Sequence, residues 1–460
     1  MKVRALELFL GKLRAGLLIQ FEVTDTERLT RFVADPAFIE RMAQPDAPVL
    51  SLAYTVADPA TVAMFYRDQL APRFNGKLSD RNGWLLPPFW QNLLPEGVFR
   101  DRVAEMRPCD PKDHMEMLAA CGRGLAGNVY ARPIELDKAQ LSRLVTQDND
   151  ALEASVFAEP MADGESLSGV QPKLALMRDG DRFVARTQDK NRDTNIIGKL
   201  PVVGQPLLPE LEELSMRLAR AAGVDVCNFY LAPLSQLAVE HSYDLGTVDA
   251  QTLFLAVERF DRIKVHGRPR RVHWEDFAQV LSVMPEDKYS RSYATVARLM
   301  MRVPSLGEPA VHELLRRLAV NELLGNVDMH LKNMGLIYHD GSTPSFAPAF
   351  DIVGYSAYNK REGHALMLLD RALEAPKPRA IAGQAPPPKP SLTPVLLRQF
   401  CAQVGIAEKT ASTVLRRCAA AAFKSWPALI DSSSLTSRQK ERLLAHFNGH
   451  RWISQLAARA

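Results

Sequence analysis

The stretch that decides the fold is Asn326-Val-Asp-Met-His-Leu-Lys-Asn333, which directly follows the apolar-periodic segment HELLRRLAVNELLG. Asp328 and Asn333 are five residues apart, which is the D-x-x-x-x-N spacing of a kinase catalytic loop. In such a loop the aspartate accepts the proton of the attacking hydroxyl and the asparagine holds a metal ion. The alternative is that these polar residues only form turns between a helix and a strand.

A second carboxylate supports the catalytic interpretation. Asp351 follows a predicted hairpin and emerges from the apolar run Phe350-Asp351-Ile352, where a kinase carries its metal-binding aspartate. The sequence therefore predicts Asp328 as the catalytic base and Asn333 and Asp351 as metal ligands. Of the other loop residues, Lys332 is expected to neutralise charge on the transferred phosphoryl group, and His330 to lie near the nucleotide.

The elements around these residues predict the architecture. Alternating strands meet at Asp179-Gly180, another strand ends at Lys199, a helix is expected over 209–222, and a strand covers FLAVERFD. We expect a mostly helical chain from there to Gly325, a strand pair around Asp340-Gly341 and a helical C-terminal region. This order predicts an α+β, two-lobed protein-kinase-like fold with a strand-rich N-terminal lobe and a helical C-terminal lobe. The expected domains are an extra N-terminal subdomain over 1–147, an ATP-binding lobe over 148–262 and a helical lobe over 263–460.

The N-terminal 147 residues show no chemistry of their own. A strand, a turn near Gly11 and a second strand are expected first, and Arg100–Gly122 is predicted to be helical. The sequence indicates a small mixed unit.

Three features before the catalytic loop are typical of a nucleotide site. The loop Glu165–Lys173 carries one glycine and small hydroxyl side chains before a strand, which is typical of a phosphate-binding loop. A simple turn would have the same composition. Lys199 ends a strand and Glu212 follows on a helix, as in a kinase ion pair, although a solvated lysine fits equally well. The strand containing Glu258 and Phe260 is a hinge candidate or a core strand. The predicted nucleotide-binding residues are Ser168, Gly169, Val170, Gln171, Pro172, Lys173, Lys199, Glu212, Glu258, Phe260 and His330.

Composition excludes several classes of protein. The 460 residues are 47% apolar and 24% charged, which excludes wholesale disorder. Five cysteines without a CxxC pair argue against a disulfide framework and a thiolate zinc site. Without a signal peptide or a membrane-spanning apolar run, we expect a cytoplasmic protein that does not enter a membrane.

Two C-terminal regions have an unusual composition. The segment 409–460 carries nine Lys or Arg against two acids, an excess that attracts nucleic acid or an acidic partner, or that simply forms a solvated helical face. The stretch 375–394 contains seven prolines and is interpreted as an extended loop.

The motifs together resemble the HipA family of bacterial toxin–antitoxin kinases. FWQNLLPEG, LAGNVYARP, SLSGVQPK, IIGKL, LAVERFDR, NVDMHLKN and FDIV occur in the family's order, and the resemblance covers about residues 1 to 430. Two positions depart from the pattern. Gly198 separates the apolar pair from Lys199, and Asn195 takes a common histidine place.

The resemblance implies a serine/threonine protein kinase toxin that uses ATP and Mg²⁺ and modifies a host protein, typically an aminoacyl-tRNA synthetase. It implies a helix-turn-helix, HipB-like antitoxin as partner, through which the chain reaches DNA. It also implies autophosphorylation on Ser166, with Ser168 as a second hydroxyl. Two alternatives are a catalytically weak nucleotide-binding protein that acts with an antitoxin in DNA-bound repression, and a small-molecule or lipid kinase.

Overall fold

The structure is a computed structural model that describes residues 2–459 except 23, 25–26, 53–57, 69–72, 80–85, 138–152, 156–157, 162–165, 168–170, 187–192, 360–362 and 371–389. Within these ranges, none of the helices combines the length and the hydropathy that a membrane span requires.

The chain opens with an antiparallel hairpin of strands β1 (Lys2–Leu10) and β2 (Leu13–Glu22), as the sequence predicts. Gly11 makes the turn with a φ of 61°, which favours glycine. The sheet has the order β4-β3-β2-β1-β5, and β6 pairs with β1 in parallel. Its other strands are β3 (Glu27–Ala34), β4 (Gly76–Ser79), β5 (Val129–Pro133) and β6 (Glu153–Ser155). Strand β6 follows the expected boundary at residue 147 and pairs with this sheet, and the boundary itself stays a prediction.

Short helices cover this sheet. The prediction of a single helix over Arg100–Gly122 is wrong, because two helices occur there. The segment between them contains Pro108 and Pro111. Proline lacks an N–H and ends a helix for that reason. The helices are α1 (Pro36–Met42), α2 (Pro59–Arg67), α3 (Pro88–Gln91), α4 (Val98–Met106) and α5 (His114–Ala120).

A second sheet forms the core of the next lobe. Its strand order is β10-β11-β9-β7-β8, and helix α6 (Leu208–Ala221) packs against β10 and β11. The predicted hairpin at Asp179-Gly180 is confirmed, and so are the strand that ends at Lys199 and the following helix. The strands are β7 (Lys173–Asp179), β8 (Arg182–Val184), β9 (Ile196–Lys199), β10 (Phe229–Pro233) and β11 (Leu253–Glu258).

The segment after β11 corrects the sequence interpretation. We expected mostly helix up to Gly325, but three strands come first, and a turn at His266-Gly267 joins two of them. The hairpin is rich in exposed basic residues, so it lacks the apolar alternation that marks a half-buried strand. These strands are β12 (Arg262–Val265), β13 (Arg268–Arg271) and β14 (His273–Asp276). The strand pair predicted around Asp340-Gly341 is confirmed as β15 (Gly335–Tyr338) and β16 (Ser345–Phe346).

The C-terminal lobe is helical, as predicted. Its largest apolar core joins α6 to the last helices, where the Trp426 indole donates a hydrogen bond to the Leu218 carbonyl at 2.9 Å. Most of the proline-rich stretch lies outside the described residues, and Pro394 begins a helix. The helices are α7 (Phe277–Val280), α8 (Tyr293–Arg302), α9 (Gly307–Leu324), α10 (Pro394–Val404), α11 (Glu408–Asp431), α12 (Ser437–Gly449) and α13 (Arg451–Ala457).

Candidate active site

A cleft lies between the two lobes. Its apolar walls include Ile197, Val257 and Phe350, and its charged end is formed by Lys199 and Asp351. An apolar cleft with a few convergent charges is the usual form of a small-molecule site. The cleft therefore suits a ligand with a flat apolar part and an anionic part.

The charged end is built around Lys199. Strand β9 lies between β7 and β11, and the Lys199 ammonium donates to Glu212 on α6 and to Asp351. Lys199 is 5% exposed and Glu212 is fully buried. Burial opposes the charge of Lys199, but the carboxylates of Asp351 and Glu212 outweigh burial and raise its pKa above the ordinary value. The strand lysine and helix glutamate thus form the predicted ion pair.

Gly198 does not displace Lys199 from this pair. A Cβ atom on Gly198 would lie 2.5 Å from Leu176 Cδ1 and 3.4 Å from the Phe254 ring. Both side chains are fully buried in the small core on that face of the sheet. The glycine is therefore explained by close packing.

A second lysine lies next to Lys199. Lys173 is its cross-strand partner in the β7–β9 ladder and is 6% exposed. Burial lowers the pKa of Lys173 to about 8; the negative charge of Asp351 opposes this shift, and the positive charge of Lys199 adds to it. The site thus holds two buried lysines side by side.

Asp351 is held in an uncommon backbone conformation. Its φ of 59° is in the left-handed region, which a residue other than glycine seldom adopts. The preceding Phe350 packs against Phe260 and Trp274, with ring centroids 5.8 and 5.9 Å apart. Burial opposes ionisation of Asp351, yet Lys199 and then Lys173 hold its pKa well below the usual range. The carboxylate is therefore ionised and fixed at the charged end of the cleft.

The catalytic-loop candidate begins where α9 ends. Gly325 terminates the helix with a φ of 66°, and the Asn326 side chain accepts from the Asp328 N–H at 3.2 Å. The Asn333 amide nitrogen donates to the Asp328 carbonyl at 2.9 Å. This bond uses the amide N–H₂ and leaves the Asn333 Oδ1 as an acceptor. The sequence spacing therefore folds into a closed loop with a carboxylate and an amide oxygen.

Tyr289 is a neighbour of Asp328 that the sequence did not reveal. Its hydroxyl donates to Asp328 Oδ1 at 2.8 Å from a position 39 residues earlier in the chain. Burial and the charge of Asp351 raise the pKa of Asp328, while the Tyr289 hydrogen bond opposes that rise. No local spacing signal marks such a long-range contact.

His330 lies beside Tyr289 and Asp328. His330 packs edge-on against the Tyr289 ring, 5.1 Å between centroids, and its Nε2 is 3.9 Å from Asp328 Oδ1. Burial, and next the positive charge of Lys288, lower the pKa of His330 to about 3, so the ring is neutral at physiological pH. His330 therefore stands beside the base candidate and offers no positive charge to a phosphate.

Lys332 lines the cleft, and the expectation that it neutralises charge on the transferred phosphoryl group stays a prediction. The ammonium is 3.0 Å from both the carbonyl and the side-chain oxygen of Asn92 and 3.2 Å from Asp276 Oδ2. Lys332 is 2% exposed, and it contacts both Asn92 of the N-terminal subdomain and Asp276 of β14. This ammonium holds the loop in place, because its donors are already satisfied.

The donor set fits a magnesium ion. Mg²⁺ takes oxygen ligands, usually one or two from the protein and the rest from water and substrate phosphates. Asp351 and Asn333 supply a carboxylate and an amide oxygen. Among the residues that the structure describes, no group of three or more His, Cys, Asp or Glu forms a metal cage.

The hinge candidate also lines the cleft. Glu258 and Phe260 both contribute to it. The backbone N–H of Glu258 donates to the Asn228 carbonyl at 2.8 Å, and that of Arg259 donates to the Asn195 carbonyl at 2.8 Å. The N–H groups of residues 258 and 259 are therefore used within the protein.

The predicted phosphate loop is described only at its ends. Ser168, Gly169 and Val170 lie outside the described residues. After the gap, the Pro172 carbonyl accepts from the Leu200 N–H at 3.0 Å, and the Gln171 amide donates to the Leu200 carbonyl at 3.4 Å.

Ser166, at the other end of that loop, lines the cleft. Its N–H donates to the Gly124 carbonyl at 3.2 Å and its hydroxyl donates to the Leu93 carbonyl. Both partners belong to the N-terminal subdomain, which therefore holds the first end of the loop.

Comparison with known proteins agrees with this geometry. The family model of the HipA N-terminal domain matches residues 6–132, and the model of the HipA-like C-terminal domain matches residues 165–426. The protein "Putative kinase Y4dM" of Sinorhizobium fredii is 33% identical over 319 residues, 67% of this chain and 74% of that protein. A second protein of that organism, "Putative kinase Y4mE", is 30% identical over 290 residues, 59% of this chain and 64% of that protein.

A solved structure shows the same fold. The HipA, HipB and operator DNA complex of Shewanella oneidensis MR-1 contains a chain with a TM-score of 0.65 and 20% identity, and the match covers 99% of both chains. The predicted α+β, two-lobed kinase-like fold is confirmed. The family models together cover most of the chain, and its curated relatives are named as kinases. This chain belongs to the HipA family of kinases.

Proposed function

We propose that the chain is an ATP-dependent serine/threonine protein kinase and the toxin of a toxin–antitoxin pair. The observation that carries the proposal is the Lys199–Glu212–Asp351 cluster at the charged end of the cleft. Burial and then the charge of Asp351 raise the pKa of Asp328, which suits a proton acceptor. A phosphate-binding lysine, a metal-binding carboxylate and a base thus occur together, as phosphoryl transfer requires.

Each residue has a defined role in this mechanism. The apolar walls at Ile197, Val257 and Phe260 hold the adenine, and Lys199 contacts the nucleotide phosphates. Asp328 accepts the proton of a serine or threonine hydroxyl as its oxygen bonds to the γ-phosphorus. The bond between the γ-phosphorus and the bridging oxygen then breaks, and ADP leaves with that electron pair. When bound by Asp351 and Asn333, Mg²⁺ neutralises charge on the phosphates.

The biological partners follow from the family. We propose a host protein as substrate, such as an aminoacyl-tRNA synthetase, and a HipB-like helix-turn-helix antitoxin as partner. The Shewanella oneidensis neighbour occurs with HipB and operator DNA, which supports contact with DNA through the antitoxin. A kinase that acts on translation proteins belongs in the cytoplasm.

Incubation of the purified chain with γ-labelled ATP and Mg²⁺ tests this function. We expect label on serine or threonine, found by phosphoamino-acid analysis, and a rate of labelling roughly 10²–10⁴-fold lower with Asp328→Asn. Label on tyrosine alone would overturn the serine/threonine assignment. ATP binding without any transfer, to itself or to synthetase candidates, would favour the nucleotide-binding protein that acts with an antitoxin in repression.

We also propose self-modification at Ser166, with Ser168 as a second acceptor. A phosphoserine carries about −1.5 to −2 charges at neutral pH, so it competes with ATP for the donors of the loop. Because the Ser166 hydroxyl donates to the Leu93 carbonyl, the loop end must detach before the serine reacts. Mass spectrometry after incubation with ATP should place the phosphate within residues 165–173. Phosphate found only elsewhere would contradict this assignment.

A further inference from the structure

One carboxylate of the N-terminal subdomain lies between two lysines of the C-terminal lobe. Glu96 Oε1 is 3.4 Å from the Lys332 ammonium, and Glu96 Oε2 is 3.4 Å from the Lys288 ammonium. The Glu96 side chain is only 14% exposed and that of Lys332 is 2% exposed. Partly buried pairs of this kind are screened less by salt than surface pairs.

Both lysines are close to elements that hold the proposed catalytic base, Asp328. Lys332 belongs to the catalytic loop, four residues after Asp328. Lys288 lies over the ring of Tyr289, with its ammonium 5.8 Å from the ring centroid, and Tyr289 donates its hydroxyl to Asp328. The Lys288 carbonyl also accepts from the N–H of Leu331 at 3.3 Å. Both lysines therefore join Glu96 to elements that hold Asp328.

The turn that carries Glu96 is fixed by further contacts. Asn92 accepts twice from Lys332, and its amide nitrogen donates to the Val283 carbonyl at 2.8 Å. The Glu96 N–H donates to the Leu167 carbonyl at 3.2 Å, next to Ser166. The turn between α3 and α4 is thus anchored to the C-terminal lobe and to the first end of the phosphate loop.

We propose that Glu96 is a positioning residue for phosphoryl transfer, through which the N-terminal subdomain holds the catalytic loop and Tyr289 around Asp328. The inference rests on the proposed kinase function. It assigns the subdomain a role in the reaction itself. Glu96 does not line the nucleotide cleft, so its effect falls on the orientation of the base and leaves ATP binding unchanged.

The test compares Glu96→Gln with Glu105→Gln, a matched change at an exposed glutamate of α4. Loss of a group that orients a reacting residue costs roughly 10- to 100-fold in rate. We expect that loss in kcat for Glu96→Gln, with the calorimetric Kd for ATP unchanged and Glu105→Gln equal to the wild type. Equal kcat in all three proteins, or a loss explained by weaker ATP binding, would overturn the proposal.

A double substitution shows whether Glu96 acts through Lys288. If both residues act through one network, Glu96→Gln with Lys288→Met should lose little more kcat than the stronger single variant. Losses that multiply would mean that Glu96 does not act through Lys288, and they would overturn that part of the proposal.

Hydrogen–deuterium exchange separates this inference from the kinase function. In Glu96→Gln, peptides that cover 288–290 and 326–334 should lose protection, while peptides from β9 and β11 should not change. This readout needs no turnover, so a wild-type chain that transfers no phosphate refutes the kinase function alone. Unchanged exchange in both peptides would overturn the role of Glu96.

Discussion

The two halves of the candidate site are held together in different ways. We call the cluster of Lys199, Glu212 and Asp351, which is proposed to bind the phosphates, the phosphate centre. Here the Lys199 ammonium contacts Asp351 and also Glu212, which is 13 residues away on the next helix. In the catalytic loop, Asp328 depends on Tyr289, and Lys332 depends on Asn92, which is 240 residues away in another subdomain. The ion pairs of the phosphate centre are thus formed by residues of the two lobes alone, whereas the loop is also held by a contact with the N-terminal subdomain.

The phosphate centre and the catalytic loop also differ in the pKa values of their carboxyl groups. The phosphate centre and Lys173 beside it contain two lysines and two carboxylates, and the carboxylate of Asp351 has its pKa held below the usual range by the lysines. The base candidate has its pKa raised by burial and by Asp351. Asp351 is therefore held ionised, whereas Asp328 accepts a proton more readily, which is the division of roles that phosphoryl transfer needs.

The largest effect is expected for Asp328→Asn, which removes the proton acceptor and keeps its shape. General base catalysis contributes roughly 10²–10⁴-fold, so transfer should fall by that factor while ATP binding is largely retained. Quench-flow measurement of label transfer checks the rate, and calorimetry checks binding. The exposed Asp287→Asn is the matched control. If the variant lost ATP binding too, Asp328 would belong to the phosphate centre and the comparison would fail.

Next in size is Lys199→Met, which removes the centre of the ion-pair cluster. Removing one partner of a buried pair costs about 3–5 kcal/mol of folding stability, because Glu212 is left buried without its cation. We expect both stability and ATP affinity to fall, measured by denaturant unfolding and calorimetry. Lys264→Met, at an exposed lysine of β12, should change neither. If the ATP affinity were unchanged, the contact with the phosphates would have to be assigned to Lys173 instead.

The same contrast explains which features the sequence could predict. Lys199 with Glu212, and Asp328 with Asn333, are close in sequence, so the spacing of strand, helix and loop residues is enough to predict that they meet. Tyr289 and Asn92 reach the site only through tertiary contacts, and nothing near them in the sequence marks their role. These are the residues that the sequence missed.

The contacts of Lys332 and the β12–β13 hairpin could not be predicted, for related reasons. The position of Lys332 in a catalytic loop predicts a role near the phosphates, but it does not indicate that the ammonium also contacts Asn92 and Asp276. The hairpin has a charged, exposed pattern, which indicates neither strand nor helix by apolar periodicity. Motif spacing thus predicts which elements carry the site, whereas the partners of a buried charge depend on the whole fold.

A smaller effect, with a pH signature, is expected for Lys173→Met. Burial depresses the pKa of Lys173 to about 8, so the folded state disfavours its proton relative to the unfolded chain. This penalty is fully present below pH 8 and disappears as the pH rises from 8 towards 10.5, the value without burial. At pH 7 the variant should therefore be more stable than the wild type, by up to about 3 kcal/mol. Denaturant unfolding at pH 7 and 9.5 should show this gap narrowing, and a gap independent of pH would contradict the shift.

The smallest effect tests whether Gly198 serves packing alone. In Gly198→Ala the added Cβ would meet Leu176 Cδ1 at 2.5 Å in a fully buried core, and overpacking of this kind costs about 1–3 kcal/mol. Since Leu176→Val removes the clashing methyl position, the double variant should recover part of the loss in denaturant unfolding. ATP affinity of the folded Gly198→Ala protein should match the wild type, because Lys199 keeps its strand register. A loss of affinity without a loss of stability would show that Gly198 sets the position of Lys199, and the phosphate centre would then depend on more than its ion pairs.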